Sequence, residues 1–283
     1  MKEQAPLTLA LVGMGSAGRS RERACAEVEG VQLAARVSRR PGGGDRPLSE
    51  VLQDPAVRAL AVSTENTAHA DLVEAGLKAG KHVLCDYPLA LSGSRARELF
   101  DLAKQVDRVL HVEHIALLSE EHRNLKAEVA RAGRLVKGEY LFQGGWNERL
   151  ADPAYSGPYP FLAVSRLVQV ADLFGPFAIE AARADAKPEG FSLHLHLRFP
   201  EGGILGFTEE RLAGLPRRRS LVAECERGPV ALKAGTMGGG LFAKDLAWFR
   251  DRVHEGRPCY YDEEVMVRVI EKTSKIESII FLK

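Results

Sequence analysis

The chain has 283 residues, of which 45% are hydrophobic and 27% are charged. This is the composition of a globular protein with apolar mass for one large core or two, and the length favours two domains. The 39 Lys and Arg residues almost balance the 38 Asp and Glu residues, so the net charge is +1 and the basic excess of a general nucleic-acid-binding protein is missing.

The apolar residues and the cysteines narrow the class further. No apolar run approaches the ~18–20 residues of a membrane-spanning helix, and the first residues show no cleavage-site pattern, so we expect neither a membrane segment nor a secretory signal. The four cysteines have no paired spacing, which disfavours a disulfide framework or a zinc site and suits a reducing cytoplasm. We therefore predict a cytoplasmic enzyme or a small-molecule sensor.

The first half of the chain alternates short apolar strands with amphipathic helices. Strands are predicted at residues 7–12, 31–37, 59–63, 82–85 and 109–112, and helices at about 16–29, 48–53, 68–79 and 92–105. Near-continuous apolar strands separated by helices are typical of a parallel sheet that is covered on both faces. Right-handed crossovers then leave a doubly wound Rossmann fold as the simplest topology.

After about residue 115 the pattern changes. Helices are predicted at about 120–132, 160–174 and 241–253, and strands at 136–146, 179–184, 191–199, 204–210 and 220–224. Residues 191–199 alternate apolar and polar side chains, as in an antiparallel strand with one wet face. We therefore predict an α/β chain with a Rossmann domain over residues 1–115 and an α+β substrate domain, built on a largely antiparallel sheet, over residues 116–283.

A glycine-rich motif follows the first strand and opens the first helix. Its residues are Gly13, Met14, Gly15, Ser16, Ala17 and Gly18. In a dinucleotide site, the first glycine makes the tight turn, the second lets the backbone approach the pyrophosphate, and the third allows close helix packing. The start of the helix adds free N–H groups and a positive dipole end. The alternative is a glycine-rich turn needed only for packing.

The end of the second strand indicates which dinucleotide binds. A site that prefers NAD places a carboxylate there, whereas this chain has Ser38, Arg39 and Arg40. A hydroxyl and a guanidinium suit a 2′-phosphate. We therefore predict NADPH as the cofactor, with Arg39 as its main ligand and NADH as a weaker substitute; the alternative is two solvated loop arginines.

Two further segments carry a family resemblance. Residues 63–69, after the third strand, and residues 80–88, across the fourth, resemble the oxidoreductase family of glucose–fructose oxidoreductases and inositol dehydrogenases. That family usually has a catalytic Lys where this chain has Tyr87. Its usual Asp and His fall at Phe161 and Ser165. These departures argue against a sugar dehydrogenase.

The biliverdin reductase branch of that family departs in the same way. Residues 80–88, 108–114, 165–167, 173–175 and 241–245 resemble its corresponding segments, with Asp86 in place of a Glu. The resemblance implies hydride transfer from NADPH to the central bridging carbon of biliverdin, which gives bilirubin in haem degradation. The related readings are a reductase of another conjugated or carbonyl compound, such as an imine or a quinone, and a non-enzymatic NADPH-binding regulator.

The resemblance also suggests residue roles. Arg166 would stabilise developing negative charge or clamp a propionate, with a water or the propionate delivering the proton, because an Arg alone is a poor acid. Tyr87 would stack on the pigment or form a hydrogen bond with it, and Glu113 would accept from its pyrrole N–H groups; structural roles for both stay open. Further predicted substrate contacts are His111, His114, Ser165 and Lys244. Further predicted cofactor contacts are Ser63, Thr64, Asn66, His69 and Asp86.

Two other patterns have plainer readings. His194 and His196 share a strand face without a third ligand nearby, so exposed strand histidines are predicted and no metal. Residues 217–219 are three arginines that could bind propionates or an acidic partner, with a solvated turn as the default. The predicted partner is therefore a small molecule, with no nucleic acid or membrane; a monomer is favoured and a dimer is left open.

Overall fold

The computed structural model describes residues 5–40, 42–232 and 239–276. The chain divides into two compact units, Met1–Leu118 with Gly239–Asp262, and Ser119–Gly238 with Glu263–Lys283. The sequence predicted a single boundary after residue 115. The chain instead returns to the first unit, because the helix Leu241–Glu255 packs on the helix Ser16–Glu27.

The first unit contains a five-stranded parallel sheet. Its strands are β1 (Leu7–Val12), β2 (Val31–Val37), β3 (Ala59–Val62), β4 (His82–Cys85) and β5 (Leu110–Val112). They lie in the order β2-β1-β3-β4-β5, with every neighbouring pair parallel. This confirms the predicted doubly wound Rossmann fold, whose strand order reverses beside β1, the place where such sheets bind ligands.

The helices of the first unit follow the predicted alternation. They are α1 (Ser16–Glu27), α2 (Leu48–Gln53), α3 (His69–Lys78), α4 (Gly93–Gln105) and α9 (Leu241–Glu255), with 3-10 turns at Asn66–Ala68 and Ile115–Leu118. The Ser92 hydroxyl caps α4 by accepting from the Arg95 N–H, a common role for a Ser that precedes a helix.

A buried charge network crosses the first unit. Arg21 of α1 donates to Asp245 Oδ2 of α9 at 2.6 Å and to Asp86 Oδ1, just after β4, at 3.0 Å. The other carboxylate oxygen of Asp245 lies 2.8 Å from His111 Nε2 and accepts from the Tyr260 hydroxyl at 2.7 Å. Although burial favours the protonated acid, Arg21 and His111 hold the pKa of Asp245 well below its ordinary value.

The second unit is built on a six-stranded mixed sheet. Its strands are β6 (Leu135–Gly145), β7 (Ala178–Lys187), β8 (Gly190–Arg198), β9 (Ile204–Leu212), β10 (Arg218–Cys225) and β11 (Gly228–Leu232). The order is β11-β10-β6-β9-β8-β7, in which β6 and β9 are parallel and the other pairs antiparallel. This confirms the largely antiparallel sheet; β11 was not predicted.

The helices of the second unit are α5 (Glu120–Ala132), α6 (Glu148–Ala151), α7 (Pro153–Ser156), α8 (Val164–Phe174) and α10 (Glu263–Ser274), with a 3-10 turn at Tyr159–Ala163. Helix α8 packs against α5 and α10. Inward-facing strand side chains such as Tyr140, Leu193 and Phe207 are buried, so one apolar face of the sheet forms the core of this unit.

Two classes of feature are missing from the described part of the chain. No helix within it is long and apolar enough to span a membrane. No group of three or more His, Cys, Asp or Glu side chains within it could hold a metal ion. His194 Nδ1 lies 3.2 Å from Thr208 Oγ1, and His196 Nδ1 lies 3.0 Å from Glu180 Oε2.

The charge network predicts a large effect on stability. Replacing Arg21 with Met should lower the free energy of unfolding by about 3–5 kcal/mol, because two carboxylates would lose their buried counterion. Urea unfolding followed by tryptophan fluorescence measures this change. Arg198→Met is the matched control, since Arg198 pairs with Glu180 on an exposed strand face, and it should leave stability almost unchanged. Equal small effects for both variants would contradict the prediction.

Candidate active site

The three glycines of the first loop have different environments. Gly13 has φ +97°, and a Cβ there would lie 2.3 Å from the carbonyl oxygen of Ser63. A Cβ on Gly18 would lie 1.9 Å from the carbonyl oxygen of Gly13. At Gly15, by contrast, a Cβ would meet no described atom within 4 Å. Packing therefore requires Gly13 and Gly18, whereas Gly15 leaves the backbone open to a ligand, as a pyrophosphate site needs.

The start of α1 adds favourable electrostatics for an anion. Gly15 is the N-cap of the helix and supplies no capping side chain, and the first turn contains no acidic residue. Ser16 and Ala17 thus begin a helix whose first N–H groups and positive dipole end suit a diphosphate. Met14 lies against the core of this unit, and its carbonyl oxygen accepts from Arg19.

The loop after β2 holds the residues predicted to read the 2′-position. Ser38 Oγ accepts the Arg40 N–H at 3.1 Å. The Arg39 guanidinium is 80% exposed and forms an ion pair with Glu65 of the loop after β3. The sequence did not indicate this partner, whose carboxylate would compete with a cofactor phosphate for Arg39.

The loop after β3 lies directly beside the glycine turn. The N–H of Ser63 donates to the Val12 carbonyl at 2.8 Å, and its buried hydroxyl has no hydrogen-bond partner among the described residues. The methyl group of Thr64 would lie 2.8 Å from a Cβ on Gly13. Asn66 opens the 3-10 turn that follows. Ser63 and Thr64 are therefore placed where a cofactor residue would be expected.

His69 has a different environment from the predicted cofactor contact. The imidazole is buried, with Nδ1 2.8 Å from the Pro88 carbonyl oxygen and Nε2 3.3 Å from the Thr64 carbonyl oxygen. Burial also lowers its pKa, so the ring is neutral. These contacts tie the loops after β3 and β4 together and favour a structural role for His69.

Asp86 and Tyr87 follow β4 at the ligand-binding edge of the sheet. Asp86 is the second carboxylate partner of Arg21, which accounts for its charge without a cofactor. Tyr87 stacks on His114, with ring centroids 6.0 Å apart and planes at 9°. Both nitrogens of the buried His114 ring lack hydrogen-bond partners among the described residues. Burial lowers the pKa of His114 to about 3, so this imidazole ring is uncharged.

His111 is not placed for substrate contact. It is fully buried, with Nε2 on Asp245 and Nδ1 3.3 Å from the Arg252 guanidinium. Strict alternation along β5 would place His111 and His114 on opposite faces, yet both rings pack against Tyr261. The reason is that β5 ends at Val112, so strand alternation does not extend to residue 114.

Glu113 is an acid with a strongly raised pKa at this edge of the sheet. It is buried, and its Oε1 accepts the Ile115 N–H at 2.9 Å. Burial and the nearby carboxylates of Asp86 and Asp245 raise its pKa to about 8. At neutral pH the carboxyl is therefore protonated and can donate a proton, rather than only accept from an N–H group as predicted.

The second unit carries the predicted Arg166. This side chain is buried and donates to both carboxylate oxygens of Glu209, at distances of 2.8 to 3.2 Å. Arg211 also donates to Glu209, at 2.7 Å. Burial favours the protonated acid, but Arg166 and Arg211 hold the pKa of Glu209 below its ordinary value. Ser165 is buried beside Arg166, with its carbonyl accepting from Gln169.

Several of these charged residues were missed by sequence reasoning, although helical spacing contains the signal. Arg21 follows Gly18 by three residues and precedes Cys25 by four, which puts it on the buried stripe of α1. Asp245 stands likewise between Leu241 and Phe249 in α9. The predicted Lys244 is exposed beside it. A charge on a buried stripe indicates a buried partner.

Residues 2–114 match the family model described as "Oxidoreductase family, NAD-binding Rossmann fold" (GFO/IDH/MocA). The chain is 35% identical over 230 residues to biliverdin reductase A of Mus musculus, which covers 77% of this chain and 76% of that protein.

Solved structures share the whole fold. Biliverdin reductase from Synechocystis sp. PCC 6803, solved with biliverdin and NADP+, superposes with TM-score 0.85 at 22% identity, over 98% of this chain and 100% of that one. Myo-inositol 2-dehydrogenase from Lactobacillus plantarum gives TM-score 0.84 at 14% identity, over 98% of each chain. The two values are nearly equal, so likeness of fold does not separate the substrates.

The acidity of Glu113 predicts a pH-dependent stability. Because its folded pKa of about 8 exceeds the ordinary value of 4.5, folding takes up a proton between these values. The stability contribution is full below pH 4.5 and declines as pH rises towards 8, by up to about 1.4 kcal/mol per unit. Glu113→Gln should flatten this decline between pH 5.5 and 8.5, as measured by urea unfolding.

The exposed Glu27 of the same unit provides the control. Glu27→Gln should keep the wild-type pH dependence. If Glu113→Gln also keeps it, Glu113 is ionised in the folded protein and the prediction is wrong.

Proposed function

Because the chain belongs to the GFO/IDH/MocA oxidoreductase family, we propose that it is an NADPH-dependent biliverdin reductase. The observation that carries the proposal is Tyr87, which stands where the sugar-oxidising members have a catalytic Lys, in a chain 35% identical to biliverdin reductase A. Phe161 and Ser165, at the other two proton-handling positions, are both buried. An alcohol substrate would need a base that these three side chains do not supply.

The cofactor would be held by the first unit. Gly15 and the start of α1 suit the diphosphate, and Ser38 with Arg39 suits the 2′-phosphate. Ser63 and Thr64 lie in the adjoining loop, which follows β3. The nicotinamide, when bound, supplies a hydride and is left oxidised.

The substrate in this proposal is a conjugated tetrapyrrole. Hydride addition at its central bridging carbon breaks no O–H bond, but it leaves negative charge on the pyrrole nitrogens that a proton must neutralise. Tyr87, held by its stacking on the uncharged His114, offers an aromatic surface to a flat ring system. Glu113 holds a proton at neutral pH and is the acid we assign to this edge of the sheet.

We assign to Arg166 the first of the two roles that the sequence suggested. Its bidentate pairing with Glu209 fixes the guanidinium plane and leaves its charge partly compensated. A fixed guanidinium stabilises a developing anion without reorganising. We therefore assign Arg166 to charge stabilisation, with Glu209 as the residue that positions it.

The proposal is tested directly by adding biliverdin and NADPH to the purified protein. We expect the green pigment to turn yellow as NADPH is consumed in equal amount. The control omits the pigment and should consume no NADPH. Tight NADPH binding without reduction would favour the regulator, and reduction only of a quinone or an imine would favour the other substrate class; either result overturns the proposal.

The guanidinium of Arg39 in the loop after β2 leads us to predict a preference for NADPH over NADH. Arg39→Asp should weaken NADPH binding by about 1–3 kcal/mol, roughly tenfold to a hundredfold in Kd, through the loss of one charge-assisted contact. NADH, which lacks the phosphate, should lose much less. Arg40→Asp is the matched control on the same exposed loop and should have the smaller effect on NADPH, as titrated by cofactor fluorescence. Equal losses of affinity for NADPH and NADH would mean that Arg39 has a structural role and contradict the prediction.

A further inference from the structure

The second unit gathers four arginines around one aromatic ring. The guanidinium carbons of Arg166, Arg211 and Arg217 lie 4.5, 5.1 and 5.6 Å from the centroid of the Phe142 ring. Arg219 stands opposite Phe142 in the pairing of β10 with β6. We call these four side chains the arginine cluster. Such positions over a ring face are favourable for a guanidinium.

The strand register explains why these groups meet. In the parallel pair β6–β9, Phe142 stands opposite Glu209, and Gly144 stands opposite Arg211. A Cβ on Gly144 would lie 3.0 Å from the Phe142 ring and 3.8 Å from Arg211 Nη1. The glycine therefore leaves the space that the ring and the guanidinium occupy. The cluster lies where β6 and β9 end, on the same side of the sheet as Arg166 of α8.

The cluster carries more positive than negative charge. Glu209 pairs with Arg166 and Arg211, and Glu121 forms an ion pair with Arg219. The four guanidiniums thus exceed the two carboxylates by two charges. No carboxylate among the described residues pairs with Arg217, and its side chain is exposed.

Buried polar atoms without partners lie in the same place. Tyr140 Oη, Arg219 Nε and Glu121 Oε1 are inaccessible to solvent and have no hydrogen-bond partner in the described part of the chain. Tyr140 itself is 3% exposed. Because buried polar atoms are nearly always hydrogen-bonded, Tyr140 Oη and Arg219 Nε, which can both donate, indicate that a ligand with acceptor oxygens completes the cluster.

We propose that the arginine cluster binds the two carboxylate groups of the substrate. This inference rests on the proposed function, since biliverdin carries two propionates, and it goes beyond it by assigning their binding to Arg217 and Arg219. Two carboxylates neutralise the excess of two charges. The planar guanidinium fork bonds a carboxylate in bidentate fashion. Arg166 and Arg211, already held by Glu209, form the fixed wall of the site.

The test compares biliverdin with its dimethyl ester, which keeps the conjugated system and removes both negative charges. Arg217→Ala should raise KM for biliverdin at least tenfold, leave KM for the ester within twofold, and change kcat little. Arg218→Ala is the matched control, because Arg218 pairs with Gln143 and alternates to the other face of the strand. It should change neither KM. Arg217→Lys should restore only part of the affinity, since the ammonium lacks the fork.

The same comparison by binding separates this inference from the proposed function. Pigment affinity is measured by quenching of tryptophan fluorescence, with no turnover needed. Tighter binding of biliverdin than of the ester, lost in Arg217→Ala, supports the site even if no reduction occurs. Equal binding of diacid and ester by the wild type, binding of neither, or an equal loss of both in Arg217→Ala overturns the assignment.

Discussion

The ion pair between Arg21 and Asp245 is the interaction on which the first unit depends. Both groups are fully buried, and a charge removed from water is tolerated only beside its partner. The pair therefore fixes α1, which begins at the glycine loop, against α9, which returns from much later in the chain. Through Asp86 the same guanidinium also holds the end of β4, where Tyr87 follows. One side chain, Arg21, thus positions both the glycine loop and the end of β4 that precedes Tyr87.

The two units differ in the charge states of their buried side chains. In the first unit burial keeps His111 and His114 neutral and Glu113 protonated, so the residues around Tyr87 contribute little net charge. In the second unit the arginine cluster stays charged and has too few carboxylates. A flat, conjugated and uncharged ring system suits the first environment, and carboxylate side arms suit the second.

The sequence predicted those elements whose formation depends on neighbouring residues. The strands of the Rossmann sheet lie within one residue of their predicted positions. Short apolar runs bounded by turn residues are typical of buried strands. The return of residues 239–262 to the first unit could not be predicted, since spatial contact between distant helices leaves no local pattern. Strand β11 was not predicted because it contains Pro229, a residue that disfavours strands. The helical periodicity of the sequence places the buried charges on the buried faces of their helices. It does not show which distant residue pairs with each charge.

Substrate choice in this fold must lie in side chains, since an inositol dehydrogenase and a biliverdin reductase superpose on the chain almost equally well. Oxidising an alcohol needs a group that accepts its proton while hydride leaves, and a Lys can serve. Tyr87 instead stacks on a neutral imidazole, where it adds surface rather than basicity. A conjugated acceptor reverses the requirement, because a proton must be supplied and new negative charge stabilised. In the function proposed above, the protonated Glu113 would supply that proton without the missing base.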